Sequence, residues 1–189
     1  MKLSTRTLSA LALCVLLGAT GVLPALADTH NAAQPEVSQA LPGSRLVGGG
    51  RLTVWGFQVY DARLWAAPGF EVASYASQAL ALELNYLRSL KGADIAKRSL
   101  EEIARQGALT PAQSSKWLAE MLRIFPDVDK GERITGVHQP GVGARFYVNG
   151  KLAGEVRDAE FSQRFFGIWL SPQTSEPALR SELLKGSGS

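Results

Sequence analysis

Residues 50–66, GRLTVWGFQVYDARLWA, alternate apolar and polar positions on both sides of Gly56. This period of two is typical of β-strands, and the glycine predicts a turn between two of them. The alternation sorts the second strand into two sides, with Phe57, Val59, Asp61, Arg63 and Trp65 on one and Gln58, Tyr60, Ala62 and Leu64 on the other. Because both sides carry large apolar groups, we expect a sheet that is covered, at least partly, on both faces.

Asp61 and Arg63 are charged residues placed among the aromatic residues of this segment. We expect them to lie at a solvated sheet edge or to pair with neighbouring strands. The alternative is that arginines of this region, including Arg51 and Arg88, line a cleft where a guanidinium can hold a carboxylate. Gly48, Gly49 and Gly50 precede a strand, which predicts a bend or a close backbone approach.

Further strands are predicted over 79–90, 133–138, 144–148 and 151–156, with Asn149 and Gly150 in a tight hairpin between the last two. Helices are predicted after Asp94, after Thr110-Pro111, after Asp158 and at Pro177. The order of strands, two helices, strands and two helices predicts an α+β fold with an antiparallel sheet.

Residues 1–27 have the composition of a signal peptide. Lys2 and Arg6 precede an apolar run over 8–17, and the small residues of 25–27 form a cleavage site before Asp28. A retained membrane anchor is the alternative, but glycines and a proline interrupt the segment. We therefore expect export to the periplasm, with no membrane span after cleavage.

Cleavage removes Cys14, which is the only cysteine, so disulfides and thiol chemistry are excluded. The remaining 162 residues carry 18 basic and 17 acidic side chains, once Lys2 and Arg6 are subtracted from the 20 basic residues of the chain. This near-neutral charge predicts no nucleic-acid partner. We expect a polar tether or ordered edge segment over 28–40, one domain over 41–185 and a flexible tail over 186–189.

No catalytic triad or metal site is predicted. His138 is the only histidine of the predicted domain, and no nucleophile elbow accompanies it, so a strand or loop histidine is the expected role. Asp127, Asp129 and Glu132 lack the spacing of a calcium loop and predict a solvated turn. We expect no cofactor.

Four stretches in order, residues 48–66, 82–103, 147–156 and 165–184, resemble the chalcone isomerase-like superfamily, specifically its exported bacterial branch. The resemblance covers about residues 41–184. It implies an open-faced β-sandwich, in which a large antiparallel sheet has helices packed on one face and a cleft between the two layers. Plant members isomerise chalcones, whereas plastid relatives bind fatty acids and hold the carboxylate with an arginine.

The resemblance also assigns site positions. The family arginine falls on Arg51, with Arg45 as the alternative, and a threonine falls on Tyr60. The lysine falls on Tyr86, the tyrosine on Ile95, the asparagine on Glu102 and a late threonine near Gly167. Ile95 donates no hydrogen bond, and one lost donor removes about 3 kcal/mol of transition-state stabilisation. Isomerisation by the plant mechanism is therefore not expected.

We expect a periplasmic, non-catalytic protein that binds a small fatty or aromatic acid, with Arg51, Tyr60, Tyr86 and Ile95 as ligand-binding residues. One alternative is an isomerase, an intramolecular lyase, that acts on a chalcone-like phenolic substrate. Another is an envelope interaction module without a small ligand, which would have no cavity between sheet and helices. No particular protein partner is predicted.

Overall fold

A computed structural model describes residues 32–187 of the chain. The predicted signal peptide, residues 28–31 of the predicted tether and the last two residues of the predicted tail lie outside these described residues. No helix within 32–187 has the length and apolar character needed to cross a membrane.

Six antiparallel strands form one sheet in which sequence neighbours are also spatial neighbours. They are β1 (Arg45–Val54), β2 (Phe57–Ala66), β3 (Leu80–Tyr86), β4 (Arg133–Gln139), β5 (Gly143–Val148) and β6 (Lys151–Val156). The Asn149-Gly150 hairpin is as predicted, because both residues have positive φ, at 48° and 82°.

The helices are α1 (Pro35–Ala40), α2 (Gly92–Arg105), α3 (Pro111–Ile124), α4 (Ala159–Leu170) and α5 (Pro177–Leu183), and a 3₁₀ segment spans Val72–Ser77. Helices α2 and α3 connect β3 to β4, and α4 and α5 follow β6. All four pack over one face of the sheet, with α5 on β1, α4 on β4 and β5, and α3 on β6. The predicted α+β sheet with helices on one face is therefore confirmed.

The main core lies between this face and the four helices. Leu80, Leu82, Leu84 and Tyr86 alternate toward it along β3, as the sequence predicts. Helix α4 supplies an aromatic face of Phe161, Phe165, Phe166 and Trp169. Each fully buried side chain of this size contributes about 1.5–3 kcal/mol, so this layer provides most of the stabilisation.

Helix α1 packs on the opposite face of the sheet. Val37 is 0% exposed there and contacts a small cluster with Trp65, Ala81 and Val137. The neighbouring Glu36 accepts hydrogen bonds from Arg133 at 2.9 Å and from Thr135 at 3.0 Å. Residues 35–40 are thus an ordered segment and not a tether. A helix of six residues is too short to show a periodic apolar pattern in the sequence.

Two of the predicted helix starts have the predicted caps. Asp158 accepts the Phe161 amide hydrogen at 3.0 Å, and Thr110 forms a reciprocal capping box with Gln113. The prediction for α2 is wrong, because Asp94 lies in the first turn and Lys91 is the N-cap residue. The carboxylate of Asp127 accepts the Gly92 amide hydrogen at 3.0 Å instead, so a residue distant in sequence satisfies this end of the helix.

Gly48, Gly49 and Gly50 lie inside β1 and not before a strand as predicted, but they do allow the expected close backbone approach. A Cβ atom at Gly48 would lie 2.6 Å from the backbone oxygen of Leu183 and nearer still to that of Glu182, so α5 rests directly on the strand backbone. Beyond α5, the Gly186 amide donates to the Val47 carbonyl at 2.8 Å. The predicted flexible tail is therefore wrong at this residue, since a backbone hydrogen bond holds it to β1.

We expect Gly48→Ala to lower the free energy of unfolding by about 1–3 kcal/mol, the usual range for overpacking. The added methyl group would collide with the last turn of α5. Urea denaturation measures the change. Gly49→Ala is the comparison, because its Cβ would approach the Ala62 backbone oxygen to 3.0 Å, a smaller overlap that should cost less; equal loss in both variants would contradict the close-approach explanation.

We expect Asp158→Ala to lower the free energy of unfolding by about 1–2 kcal/mol at neutral pH, because the helix loses its N-cap. Burial acts to raise the pKa of Asp158, but hydrogen bonds from Lys116, the Phe161 amide and Trp117 outweigh it and hold the pKa below its usual value. The charged form therefore stabilises the fold above about pH 3.9, and this contribution is lost as pH falls through the lower folded-state pKa.

Thermal denaturation across this acidic range would show the difference between wild type and Asp158→Ala narrowing with falling pH. Glu120→Ala, which removes a carboxylate paired with Arg123 on the surface, should change stability by less than about 1 kcal/mol. A difference that is independent of pH would show that the Asp158 carboxylate is not the stabilising group.

Candidate functional site

A cavity of about 580 Å³ lies between the helix-covered face of the sheet and helices α2 and α4, beside the β1–β2 turn. Most of its lining is apolar: Leu52, Leu84, Ile95, Ile134, Phe165, Ile168 and Trp169 form much of the wall. The volume is within the range of small-molecule sites, which is about 300–1,000 Å³. We refer to this cavity as the pocket.

A β-bulge shapes the wall that β2 contributes. Leu52 pairs with Tyr60, but the next residue, Thr53, pairs with Gln58, so Val59 is left over. The extra residue reverses the alternation toward the turn, and Phe57 lines the pocket together with Tyr60. The predicted placement of Phe57 on the side of Asp61 is therefore wrong, because a bulge turns the side chains beyond it to the other face.

Two phenol groups lie inside the pocket wall. The rings of Tyr60 and Tyr86 meet edge to face with centroids 5.9 Å apart. The Tyr60 oxygen accepts a hydrogen bond from Trp169 Nε1 at 3.0 Å. Burial raises the pKa of Tyr60, and burial together with the neighbouring Tyr60 raises that of Tyr86. Both side chains therefore stay protonated at neutral pH and can donate a hydrogen bond to a ligand.

Two arginines line the pocket, and they differ in their partners. Arg98 on α2 bonds to Glu102, a buried residue of the same wall, and to Glu101. Arg88 follows β3 and lies over the Phe57 ring with its guanidinium carbon 5.5 Å from the ring centroid. Among residues 32–187, no carboxylate lies within ion-pair distance of Arg88. Its charge is therefore available to a ligand.

Two further carboxylates, Asp94 and Glu176, also line the pocket. Their negative charge repels an anion that lies close to them. Of the two lining arginines, only Arg88 has no ion-pair partner within residues 32–187, so it is the arginine whose charge is left to attract a carboxylate. The pocket consequently has an apolar interior and one cationic position near the turn.

The structure brings together three of the four predicted ligand-binding residues. Tyr60, Tyr86 and Ile95 all line the pocket, and so does Glu102. Gly167 does not line the pocket. It faces Gln106 and Tyr75, which a side chain at this position would meet.

Arg51 is the residue for which the prediction is wrong. It pairs with Asp61 across the strands, with its Nε 2.6 Å from Oδ1 and its Nη2 3.0 Å from Oδ2 of the aspartate. The β1–β2 register places this pair on the face opposite to the Leu52–Tyr60 pair, which lines the pocket. Arg45, the alternative, pairs opposite Ala66 at the far end of β1 and is not a lining residue either.

The expected structural pairing of Asp61 and Arg63 is confirmed. Asp61 neutralises Arg51, and Arg63 lies 3.4 Å from Glu83 on the neighbouring strand. The residue that sequence reasoning passed over in favour of Arg51 is Arg88. The sequence pattern that points to Arg88 is the period of two along β3. Arg88 follows Tyr86 by two positions and therefore continues the face of β3 that lines the pocket.

His138 lies outside the pocket and is 1% exposed. Its Nδ1 is 2.6 Å from the Ser162 hydroxyl, and its Nε2 is 3.0 Å from the Ala76 carbonyl. These bonds join β4 to α4 and to the 3₁₀ segment, which is the structural role expected for a strand histidine. No group of three or more metal-ligating side chains occurs within the described range 32–187.

An antiparallel sheet with a helical layer and an apolar pocket between them defines a class of α+β proteins with a ligand-sized cavity. The family described as chalcone isomerase-like matches residues 38–185. This match covers most of the chain, and the chain belongs to the chalcone isomerase-like family.

Two further comparisons agree with this assignment. A Haemophilus influenzae protein described as uncharacterized is 30% identical over 131 residues, which are 69% of this chain and 63% of that protein. The chain thus spans 63% of the length of that relative. The crystal structure of an Arabidopsis thaliana fatty-acid binding protein has a TM-score of 0.61 at 12% identity, and the match covers 82% of this chain and 96% of that one. At this identity the likeness shows the fold.

We expect Tyr60→Phe and Tyr86→Phe to have different effects on stability. Removing the Tyr60 oxygen leaves the Trp169 N–H without its acceptor, which costs about 1 kcal/mol. The Tyr86 hydroxyl has no hydrogen-bond partner within residues 32–187, so its removal should change the free energy of unfolding by less than about 0.5 kcal/mol. Chemical denaturation of both variants measures this, and equal losses would contradict the assigned contacts.

Proposed function

We propose that this protein is a non-catalytic periplasmic binder of a small amphipathic acid, either a fatty acid or an aromatic acid. One observation carries the proposal: an apolar pocket of about 580 Å³ has a single unpaired guanidinium, Arg88, among the arginines of its wall. A hydrocarbon or aromatic body with one carboxylate matches this distribution of surface and charge.

The apolar body would lie against the interior of the pocket. Leu84 and Ile134 from the sheet face Phe165 and Trp169 from α4 across this space. Each methylene group moved there from water contributes about 0.8 kcal/mol, so about ten methylenes supply roughly the 8 kcal/mol of micromolar binding before the cost of ordering the ligand is subtracted. The aromatic side chains of the wall suit a planar ring equally well.

The carboxylate would bind near the turn. Arg88 offers a charge-assisted, bidentate hydrogen bond, and the Tyr86 hydroxyl offers a second donor on the same strand face. Asp94 and Glu176 also line the pocket and repel an anion that lies near them. The ligand is therefore oriented with its acid group toward Arg88.

The chemistry of the wall supports binding without catalysis. Both phenols have raised pKa values, so neither supplies a phenolate base at neutral pH. Glu102 is engaged by Arg98, and Ile95 offers no hydrogen bond. The Arabidopsis thaliana protein with the same fold is described as a fatty-acid binding protein, which also favours a binder.

The proposed export depends on the signal peptide predicted for residues 1–27. The mature protein should be recovered from the periplasmic fraction with Asp28 at its N-terminus. Recovery of the full-length chain from the membrane fraction would contradict this part of the proposal.

The alternative of an interaction module without a ligand predicted a solid sheet–helix interface, and the pocket argues against it.

We expect Arg88→Gln to weaken binding of a long-chain fatty acid by about tenfold, because a charge-assisted pair at a partly exposed site is worth about 1–2 kcal/mol. Calorimetric titration of delipidated protein with the acid and with the alcohol of equal length measures the effect. Binding of the alcohol should be nearly unchanged.

Arg51→Gln is the matched control, since this arginine lies on the opposite face of the sheet and is paired with Asp61. It should leave acid binding within about twofold of wild type, well under the 1.4 kcal/mol that a tenfold change represents. Equal losses in the two variants, or no saturable binding of any long-chain or aromatic acid, would overturn the proposal. Loss of chalcone absorbance above the uncatalysed rate would favour the isomerase alternative.

A further inference from the structure

The turn between β1 and β2 has an unfavourable residue at its first central position. Trp55 has φ 49° and Gly56 has φ 81°, so both residues adopt the left-handed conformation of a type I′ turn. A bulky residue is uncommon there, because its side chain crowds the backbone. In the β5–β6 hairpin, Asn149 and Gly150 have the same conformation, and Asn-Gly is the preferred pair.

Packing does not compensate for this conformation. Trp55 is 94% exposed, whereas the other three tryptophans are at most 7% exposed. A residue in a strained backbone conformation that buries no surface in the core indicates a role at the protein surface.

Trp55 is also part of a cluster. Six large apolar residues are exposed within residues 32–187, and three of them, Val54, Trp55 and Phe57, lie in four consecutive positions. We call Val54, Trp55, Gly56 and Phe57 the hairpin tip. Arg88 lies against this tip over the Phe57 ring, so an unpaired positive charge accompanies the exposed aromatic side chains.

The size of the tip limits what can cover it. A stable protein interface takes about 20–30 residues from each side, and the tip offers four. A narrow projection that carries tryptophan, phenylalanine and a free arginine has the composition found at membrane–water interfaces. There, aromatic rings lie at the level of the head groups and arginine attracts anionic lipids.

The tip is continuous with the pocket. Val54, Trp55, Phe57 and Arg88 all line it, so the exposed aromatic surface and the cationic position form the mouth. We propose that the hairpin tip inserts into the head-group region of an anionic lipid bilayer and places the mouth of the pocket against the membrane. Membrane docking of the tip does not depend on the proposed function. Only the identity of a ligand that passes between the bilayer and the pocket rests on it.

The test uses vesicles of phosphatidylethanolamine with phosphatidylglycerol, with no fatty acid added. We expect wild type to cosediment with them and its tryptophan emission to shift to shorter wavelength. Because the other tryptophans are buried, this shift reports Trp55. Trp55→Asn should weaken vesicle binding by about tenfold and abolish the shift.

Trp55→Asn also separates loss of binding from loss of folding. Asparagine before glycine is the favoured type I′ pair, so the variant should unfold at a temperature no lower than wild type. Leu152→Asn is the matched control, because Leu152 is a 60% exposed apolar residue of β6 that does not line the pocket. It should bind vesicles like wild type.

The inference would be overturned by no vesicle binding by wild type, by equal binding of wild type and Trp55→Asn, or by equal weakening in Leu152→Asn. Self-association of wild type that Trp55→Asn abolishes, measured by sedimentation without vesicles, would assign the tip to a contact between copies and also overturn it. Titration of wild type with a fatty acid in solution is a separate readout, so failure of the proposed function is distinguishable from failure of membrane docking.

Discussion

The register of the first two strands is the constraint on which the site depends. Pairing Arg51 with Asp61 fixes Leu52 opposite Tyr60, and this assigns one pair of side chains to the pocket and the other to the far face. The bulge at Val59 then turns Phe57 back to the pocket side. A shift by one residue would exchange the two faces, placing an arginine and an aspartate against the helical layer and removing the wall of the pocket.

The helix-covered face of the sheet has a densely packed region and an open region. Toward β5 and β6, the rings of Phe125, Phe146, Phe161 and Phe165 contact one another and fill the space between sheet and helices. Toward the β1–β2 turn, smaller residues such as Leu52 and Ile95 leave it open. The aromatic region supplies packing energy that the side chains around the pocket do not supply, and this lets an apolar pocket persist beside it.

The distribution of charge follows a similar division. The arginines of β1 and β2 are neutralised, Arg51 by Asp61 and Arg63 by Glu83, whereas Arg88 beyond the end of β3 has no such partner within the described chain. Ion pairs on the far face stabilise the sheet modestly and leave the pocket apolar. The unpaired charge lies beside the exposed tip, where the pocket opens, and it is this position that connects the proposed ligand with the proposed membrane surface.

The amino-acid sequence by itself determined the six strands and four of the five helices of residues 32–187, and the fold class. Period-two alternation specified the strands, Asp158 and Thr110 specified two helix starts, Asn149-Gly150 specified a hairpin, and together with the family resemblance they predicted the α+β sheet with its helical layer. These signals are local and therefore readable. The tertiary structure decided which arginine reaches the pocket, because the Val59 bulge and the Arg51–Asp61 pair depend on strand register. It also decided that Asp127 caps α2 and that residues 35–40 are ordered, because both depend on contacts between residues more than thirty positions apart, which no local pattern encodes.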